Sequence, residues 1–342
     1  MSRYLGVDLH RNCFTVCTQL ETGRQYLTTI KIEALPKFVS RLRPDDEVAV
    51  EVTGNTRLFW DAVAPHVARV VVVNPSQFHV IRKSVKKTDE HDARALALFL
   101  SKDMLPEVRM KDPEHAEMAS LVQTRDTLVK SRTALKNKVN NLLSARGINL
   151  SKESLASEKG LKTVLDMFFG STVDVELRVL VEQIRSLNHS IAELEKAISE
   201  HGPKLPGYEN LKSIKGIGDV GASVLLSVIG DVNDFADEGK LAAYFGIVPR
   251  VSNSNETQHS GRITKRGSKL GRTVLIQCAL IAKRYSAYLR RHYERVKARR
   301  GTGKAIVALA RKFLNVIYRT LKEELVWEDF PNGVIRDTEV CA

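Results

Sequence analysis

Two strand-length apolar runs in the first fifty-five residues each close on a carboxylate, and nothing else in the chain constrains its fold as tightly. Residues 4–10 read YLGVDLH and reach Asp8, while residues 47–55, EVAVEVTGN, reach Glu51. Short apolar runs bounded by polar or turn residues are the pattern of buried strands. The same patterning predicts strands at 3–9, 13–20, 25–33, 47–53 and 69–73, with the turn Glu21-Thr22-Gly23 between the second and third. Helices are expected near 34–43 and 56–66, and from about 89.

A helix crossing from the first strand to the fourth makes the two parallel if they share a sheet. Side by side, they set Asp8 and Glu51 about 4.8 Å apart at one sheet edge. The segment KKTDEHDARALALFL then supplies Asp89 and Asp92, three residues apart on one face at the start of a helix. Four acids gathered in this way repel one another unless a cation intervenes, and hard divalent ions such as Mg²⁺ prefer oxygen ligands. Two metals about 3.5–4 Å apart clamp the attacking and leaving oxygens of a phosphodiester. Acids at a helix N-terminus also favour the macrodipole without any metal. The spacing alone leaves both readings open.

Charge points to a polyanionic partner. The chain has 342 residues, enough for two or three domains, and a net charge of +13. Residues 251–320 hold 17 Lys and Arg against two acids, Glu256 and Glu294, so the remainder is slightly acidic. Nucleic acid would thus be held by the C-terminal part and cut by the N-terminal part, with salt-sensitive binding. Cys13, Cys17, Cys278 and Cys341 offer no paired CxxC spacing, and Cys13 and Cys17 fall on one strand face as core thiols. With neither a signal segment nor a long apolar span, a cytoplasmic, nucleoid-associated protein with no membrane partner is expected.

The middle of the chain reads as two long helices. From Glu117 to Arg146, apolar residues recur at Met118, Leu121, Val122, Leu128, Leu135, Val139 and Leu142. Leu177, Leu180, Ile184, Leu187, Ile191, Leu194 and Ile198 form a heptad seam. The two helices either fold back as a hairpin with 147–173 at the tip or pair between subunits. His201-Gly202-Pro203 ends the second helix. Next comes LKSIKGIGDVGASVLLSVIGD, a helix–glycine turn–helix pattern. There Lys215, Gly216 and Gly218 could bring backbone N–H groups to a phosphate, and a purely structural glycine turn fits equally well.

A polar stretch between elements, VPRVSNSNETQHSGRITKRGSKLGR, carries Ser252, Ser254, Ser260 and Ser268. Arg262, Lys265, Arg266, Lys269 and Arg272 follow as expected phosphate contacts. Arg300-Gly301-Thr302-Gly303-Lys304 lacks the glycine spacing, the Ser/Thr after Lys and the preceding strand of a phosphate-binding loop.

The ordered set GVDLH, AVEVTGN, KKTDEHDARALA, LKSIKGIGDVGA, LAAYFGIVPR and GRITKRGSKLGR resembles the DEDD transposases of bacterial insertion sequences. These are the one-ten, one-sixteen and nine-oh-two type, read as bridge-RNA-guided serine recombinases. The likeness spans residues 3–330 and implies α/β plus all-α architecture. Its parts are an RNase H/RuvC-like catalytic domain (1–110), a helical coiled-coil region (111–202), a mainly helical C-terminal transposase domain with a helix-hairpin-helix-like motif (203–330) and a tail (331–342).

By the same likeness Asp8, Glu51, Asp89 and Asp92 match the metal-binding set for a two-ion Mg²⁺ site, with Mn²⁺ as a substitute. The family's nucleophilic serine falls on Ser254, five residues after Pro249 and seven before Gly261. Family members often read Ser-Gly-Gly there, whereas this chain reads Asn253-Ser254-Asn255, and Ser252 and Ser260 are the alternatives. The resemblance further implies a phosphoserine intermediate in a composite site, a homo-oligomer (dimer or tetramer, as a dimer of dimers), donor and target DNA, and an element-encoded bridge RNA. A RuvC-like junction endonuclease using water and a non-catalytic nucleic-acid-binding protein are the competing readings. A sugar-kinase or actin-like ATPase is disfavoured because His10-Arg11-Asn12, not a glycine turn, follows Asp8.

Overall fold

The computed structural model describes residues 3–74, 78, 88–151, 154–254 and 257–331, with 251–254 and 257–260 as backbone only. The chain divides into two units, 1–110 and 111–342.

The first unit is built on a five-stranded sheet, β1 (Arg3–Leu9), β2 (Cys13–Leu20), β3 (Gln25–Lys31), β4 (Glu47–Glu51) and β5 (Arg69–Val73), in the order β3-β2-β1-β4-β5. β1 to β3 form an antiparallel meander, and β4 and β5 run parallel to β1. Alternation sorts the strand residues onto two buried faces. Leu5, Val7, Leu9, Phe14, Val16, Val48, Val50 and Val72 pack with α1 (Leu35–Val39) and α2 (Thr56–Val63). There Phe14 meets Phe38 and Phe59 edge-on at 5.3 and 5.6 Å. Ala49, Val71 and Val73 face the other way, onto Leu96 and Leu100 of α3 (Asp89–Leu100).

Helix α3 lies on β1 with almost no gap. A Cβ added to Gly6 would sit 2.1 Å from the Ala93 carbonyl oxygen and 2.4 Å from the Ala97 amide nitrogen. Cys17, paired with Gly6 across the ladder, is fully buried with Ala93 and Ala97, while Cys13 is half-buried. Small residues on both sides let the helix backbone come down beside Asp8.

The second unit begins with α4 (Pro113–Ser144), capped by the Asp112 carboxylate. It packs along α6 (Thr172–His201) within the same chain, so the long helices form an intramolecular hairpin. The buried seam of α6 is Leu177, Val181, Ile184, Ile191 and Ile198. Asn188 and Glu195 complete its heptad spacing. Arg132 donates to Asn188 Oδ1 at 2.8 Å, and Arg125 Nε to Glu195 Oε1 at 2.8 Å. The expected seam through Leu180, Leu187 and Leu194 is thereby rotated by one position, and those leucines are half-buried on its flank. Ile184→Ala should therefore cost about 3 kcal/mol in denaturant unfolding and Leu187→Ala less than about 1; the reverse ranking would restore the leucine seam.

The tip that carried no sequence signal folds as α5 (Glu158–Leu165), N-capped by Ser157. Its Leu161 and Val164 close a small core with Val139, Leu143 and Leu177. At the other end Met118, Val122 and Ile198 enter the core of the remaining helices. These are α7 (Tyr208–Lys212), α8 (Asp219–Ile229), α9 (Glu238–Tyr244), α10 (Lys269–Tyr285), α11 (Ala287–Arg300) and α12 (Thr302–Lys322). Arg300 ends α11, Gly301 is the break, and Thr302-Gly303-Lys304 open α12, with no strand before them. Among the described residues no helix is long and apolar enough to cross a membrane.

Candidate functional site

β1 and β4 bring their acids to one edge of the sheet. Val7 pairs with Val50 in the parallel ladder, and Asp8 and Glu51 are the next residues on each strand. Gly6 faces α3, so Asp8, two residues on, shares that face; Ala49 and Glu51 are related in the same way. Thr88 caps α3 by accepting from the His91 amide at 3.2 Å, which puts Asp89, Glu90 and Asp92 in the first turn. Asp92 lies among Ala93, Leu96, Ala97 and Leu100 on the buried face and is 8% exposed. The Asp89 side chain is 57% exposed.

His10 joins these carboxylates. Its Nε2 lies 3.1 Å from Asp8 Oδ2 and 3.3 Å from Asp89 Oδ1, and the ligand-capable atoms of the three residues all fall within 4.8 Å of one another. Asn55 Nδ2 donates to the carbonyls of His10 and Arg11 at 3.2 and 3.1 Å, fixing the loop that carries the imidazole. Thr56 Oγ1 donates to the Glu51 carbonyl at 2.9 Å, tying down the end of β4. The TGN that follows Glu51 thus has a job: its asparagine holds the loop after Asp8. Neither His10 nor Asn55 stood out as a site residue in the sequence, although both end quoted motifs.

The electrostatics are those of a crowded anionic centre. Burial raises the Asp8 carboxyl above its ordinary range; His10 opposes this, while Asp89 and Asp92 add to it. At His10 burial acts to lower the pKa, but Asp8 and Asp89 outweigh it and the imidazole is raised. Its Nε2 thus lies between two acids, and both draw its pKa upward.

The other predicted residues lie in the second unit. Ser254 ends β6 (Pro249–Ser254), opposite Thr257 at the start of β7 (Thr257–Ile263), with Ser252 opposite His259 and Ser260 opposite Val251. The expected loop is therefore a two-stranded hairpin, whose few apolar residues give too weak an alternation to be read from sequence. The side chains of Ser252, Ser254 and Ser260, and Cys341 and the tail from 332 on, lie outside the described residues. Ser268 is the N-cap of α10, accepting from the Gly271 amide at 3.0 Å.

Arg262, Lys265, Arg266 and Lys269 are exposed. Arg272 serves the fold: its Nη1 donates to the carbonyls of Phe245, Arg266 and Gly267 at 3.1, 2.9 and 3.1 Å. Lys215, Gly216 and Gly218 lie between α7 and α8. Gly216 has φ +114°, and a Cβ there would sit 2.7 Å from the Ala282 nitrogen, so close packing on α10 accounts for this glycine. Gly218 precedes α8 with open space at its Cβ position. Behind it, Lys212 and the Tyr208 hydroxyl, the latter at 2.7 Å, hold the Asp219 carboxyl below its usual range.

A DEDD transposase model of IS110 elements matches residues 5–146, and the model described as Transposase IS116/IS110/IS902 family matches residues 208–294. A probable family 20 transposase of Pseudomonas aeruginosa is 30% identical over 329 residues, covering 93% of each chain. The chain belongs to the IS116/IS110/IS902 transposase family. The transposase for insertion sequence element IS1111A of Coxiella burnetii is 27% identical, covering 94% of this chain and 90% of its own. A pilin gene-inverting protein of Moraxella lacunata is 26% identical, covering 94% and 96%.

DEDD transposases imply a divalent metal, and the donor set suits one. Carboxylate oxygens at Asp8 and Asp89 meet a single imidazole nitrogen within 4.8 Å. Oxygen donors match hard cations, and an added imidazole widens the fit to first-row transition ions. Asp8, Asp89 and His10 would hold the ion of this transposase, with Asp92 and Glu51 beside them.

Proposed function

We propose that this transposase cuts and rejoins DNA through a metal-assisted serine mechanism, with Asp8, Glu51, Asp89 and Asp92 as its carboxylates and Ser254 as its nucleophile. The observation that carries the reading is the meeting of Asp8, His10 and Asp89 at the sheet edge, within electrostatic reach of Asp92. The strand order β3-β2-β1-β4-β5, with a meander leading into parallel strands, supports an RNase H/RuvC-like assignment of the first unit. Mg²⁺, the expected ion, supplies Lewis-acid stabilisation to the charge that develops on the scissile phosphate.

The Ser254 Oγ attacks phosphorus. The Oγ–P bond forms, the P–O bond to the leaving strand breaks, and the hydroxyl proton passes to the departing oxygen. A hydroxyl of a second DNA end then displaces the serine. One phosphodiester is exchanged for another, so rejoining needs no ATP. The name of the pilin gene-inverting relative supports rejoining over cleavage alone.

Lys215, Gly216, Gly218, Arg262, Lys265, Arg266, Lys269 and Arg272 are the phosphate contacts in this reading, and the segment 211–231 acts as a helix-hairpin-helix unit. A bridge RNA supplies sequence choice, with the protein reading backbone and shape. The working form is a cytoplasmic homo-oligomer on donor and target DNA.

The test is a strand-cleavage and rejoining assay on element-end DNA with Mg²⁺ and the flanking transcript. Ser254→Ala should abolish both cleavage and rejoining, and Ser252→Ala should leave both in place. Cleavage that persists in Ser254→Ala would hand the mechanism to water and to the junction-endonuclease reading.

A further inference from the structure

An imidazole at the carboxylate edge is the one donor that a set of acids does not account for. His10 Nε2 lies 3.1 Å from Asp8 Oδ2 and 3.3 Å from Asp89 Oδ1. An octahedral ion bound at about 2.1 Å holds neighbouring donors about 3 Å apart. The nitrogen therefore stands at ligand spacing from both oxygens. Its side chain is 48% exposed, so water or a phosphate oxygen can complete the coordination from outside.

The backbone that carries the ring is fixed from two directions. The His10 amide donates to the Cys13 carbonyl at 2.9 Å, closing the turn between β1 and β2. Asn55 Nδ2 donates to the His10 and Arg11 carbonyls at 3.2 and 3.1 Å. Asn55 follows β4, so one side chain ties together the loops after both acid-bearing strands. A cation that only offsets two acids requires no such fixing, and a flexible lysine would serve. A metal ligand does require it, because affinity depends on donors held in place by the shell around them.

Donor type then decides the ion. Mg²⁺ prefers oxygen donors and keeps its waters, so a nitrogen adds little to its binding. Imidazole suits first-row transition ions, whose affinity for mixed nitrogen and oxygen sites climbs from Mn²⁺ upward. Carboxylates without His10 would leave that preference weak.

We propose that His10 is a nitrogen ligand that makes this site take Mn²⁺ ahead of Mg²⁺, with Asn55 as its positioning residue. The inference rests on the metal reading of Asp8 and Asp89 and is independent of the serine chemistry.

Calorimetric titration of the full chain with Mn²⁺ and with Mg²⁺, in the absence of DNA, reads the preference. Wild type should bind Mn²⁺ at least about tenfold more tightly than Mg²⁺. His10→Ala should weaken Mn²⁺ at least about tenfold and leave Mg²⁺ within about threefold. Asn55→Ala should weaken Mn²⁺ about tenfold and again spare Mg²⁺, whereas a merely structural role would lower both together. Arg11→Ala, which alters an exposed side chain of the same loop, should change neither. Electron spin-echo spectroscopy with one equivalent of Mn²⁺ supplies the direct signature, a coordinated-nitrogen modulation present in wild type and absent in His10→Ala. Tighter binding of both ions by His10→Ala would overturn the inference and make the imidazole a counter-charge that the ion displaces. Mn²⁺ bound to wild type without nitrogen modulation would overturn it too. Failure of the metal reading itself has a different mark: Asp8→Asn would leave Mn²⁺ binding unchanged, and both would fall.

Discussion

Asp8→Asn should lower strand cleavage by about a thousandfold and leave the fold intact. The magnitude follows from the role: a metal-supplied stabilisation of several kcal/mol corresponds to about three powers of ten in rate. The fold should tolerate the change because asparagine is nearly isosteric and removes a charge from a crowded site. Burial, Asp89 and Asp92 all act against the ionised form of Asp8, so the carboxylate does not stabilise the metal-free protein. Metal affinity gives a readout independent of turnover. Titration with Mn²⁺ should show binding weakened at least about tenfold in Asp8→Asn, with an unchanged melting temperature. Cleavage within tenfold of wild type would remove Asp8 from the site.

Gly6→Ala should be the most damaging single methyl group in the first unit. The added carbon would meet the Ala93 carbonyl oxygen at 2.1 Å and the Ala97 nitrogen at 2.4 Å, and both are backbone atoms of α3 with no rotamer to yield. Either the helix lifts from β1 or the strand bends. Overpacking with backbone displacement costs about 3 kcal/mol. The same lift would carry Asp89 and Asp92 away from Asp8, so activity should fall together with stability. Gly54→Ala, where nothing lies within 4 Å of the added carbon, is the matched control and should melt like wild type. Equal melting of the two variants would mean that α3 does not press on β1 in this way.

Much of the first unit was legible because its signals are local. Strand alternation and the turns at 10–12 and 21–24 place β1 to β3 within a residue or two, and the apolar runs before Glu51 and Val73 place β4 and β5. Asp8 and Glu51 could be brought to one end of the sheet because each closes an apolar strand and a helical crossover makes the two strands parallel. His10 could not, since a histidine after a strand-end acid looks like any surface residue until α3 brings Asp89 to its other side. The helical seam was misread by one position because Asn188 and Glu195, polar residues held by Arg132 and Arg125, occupy seam sites that a hydrophobic count passes over. Arg272 carries a role the sequence does not show. Set in a basic stretch it looks like a phosphate contact, and in the fold its Nη1 also donates to three backbone carbonyls. Long-range pairing decides these cases, and spacing does not record it.

The most direct measurement is a search for a covalent protein–DNA adduct. The protein is expressed with its element ends and flanking transcript, denatured and digested, and nucleotide-bearing peptides are mapped by mass spectrometry. One adduct is expected, on Ser254, lost in Asp8→Asn. Mg²⁺-dependent nicking with no adduct on any serine would contradict it and make water the nucleophile.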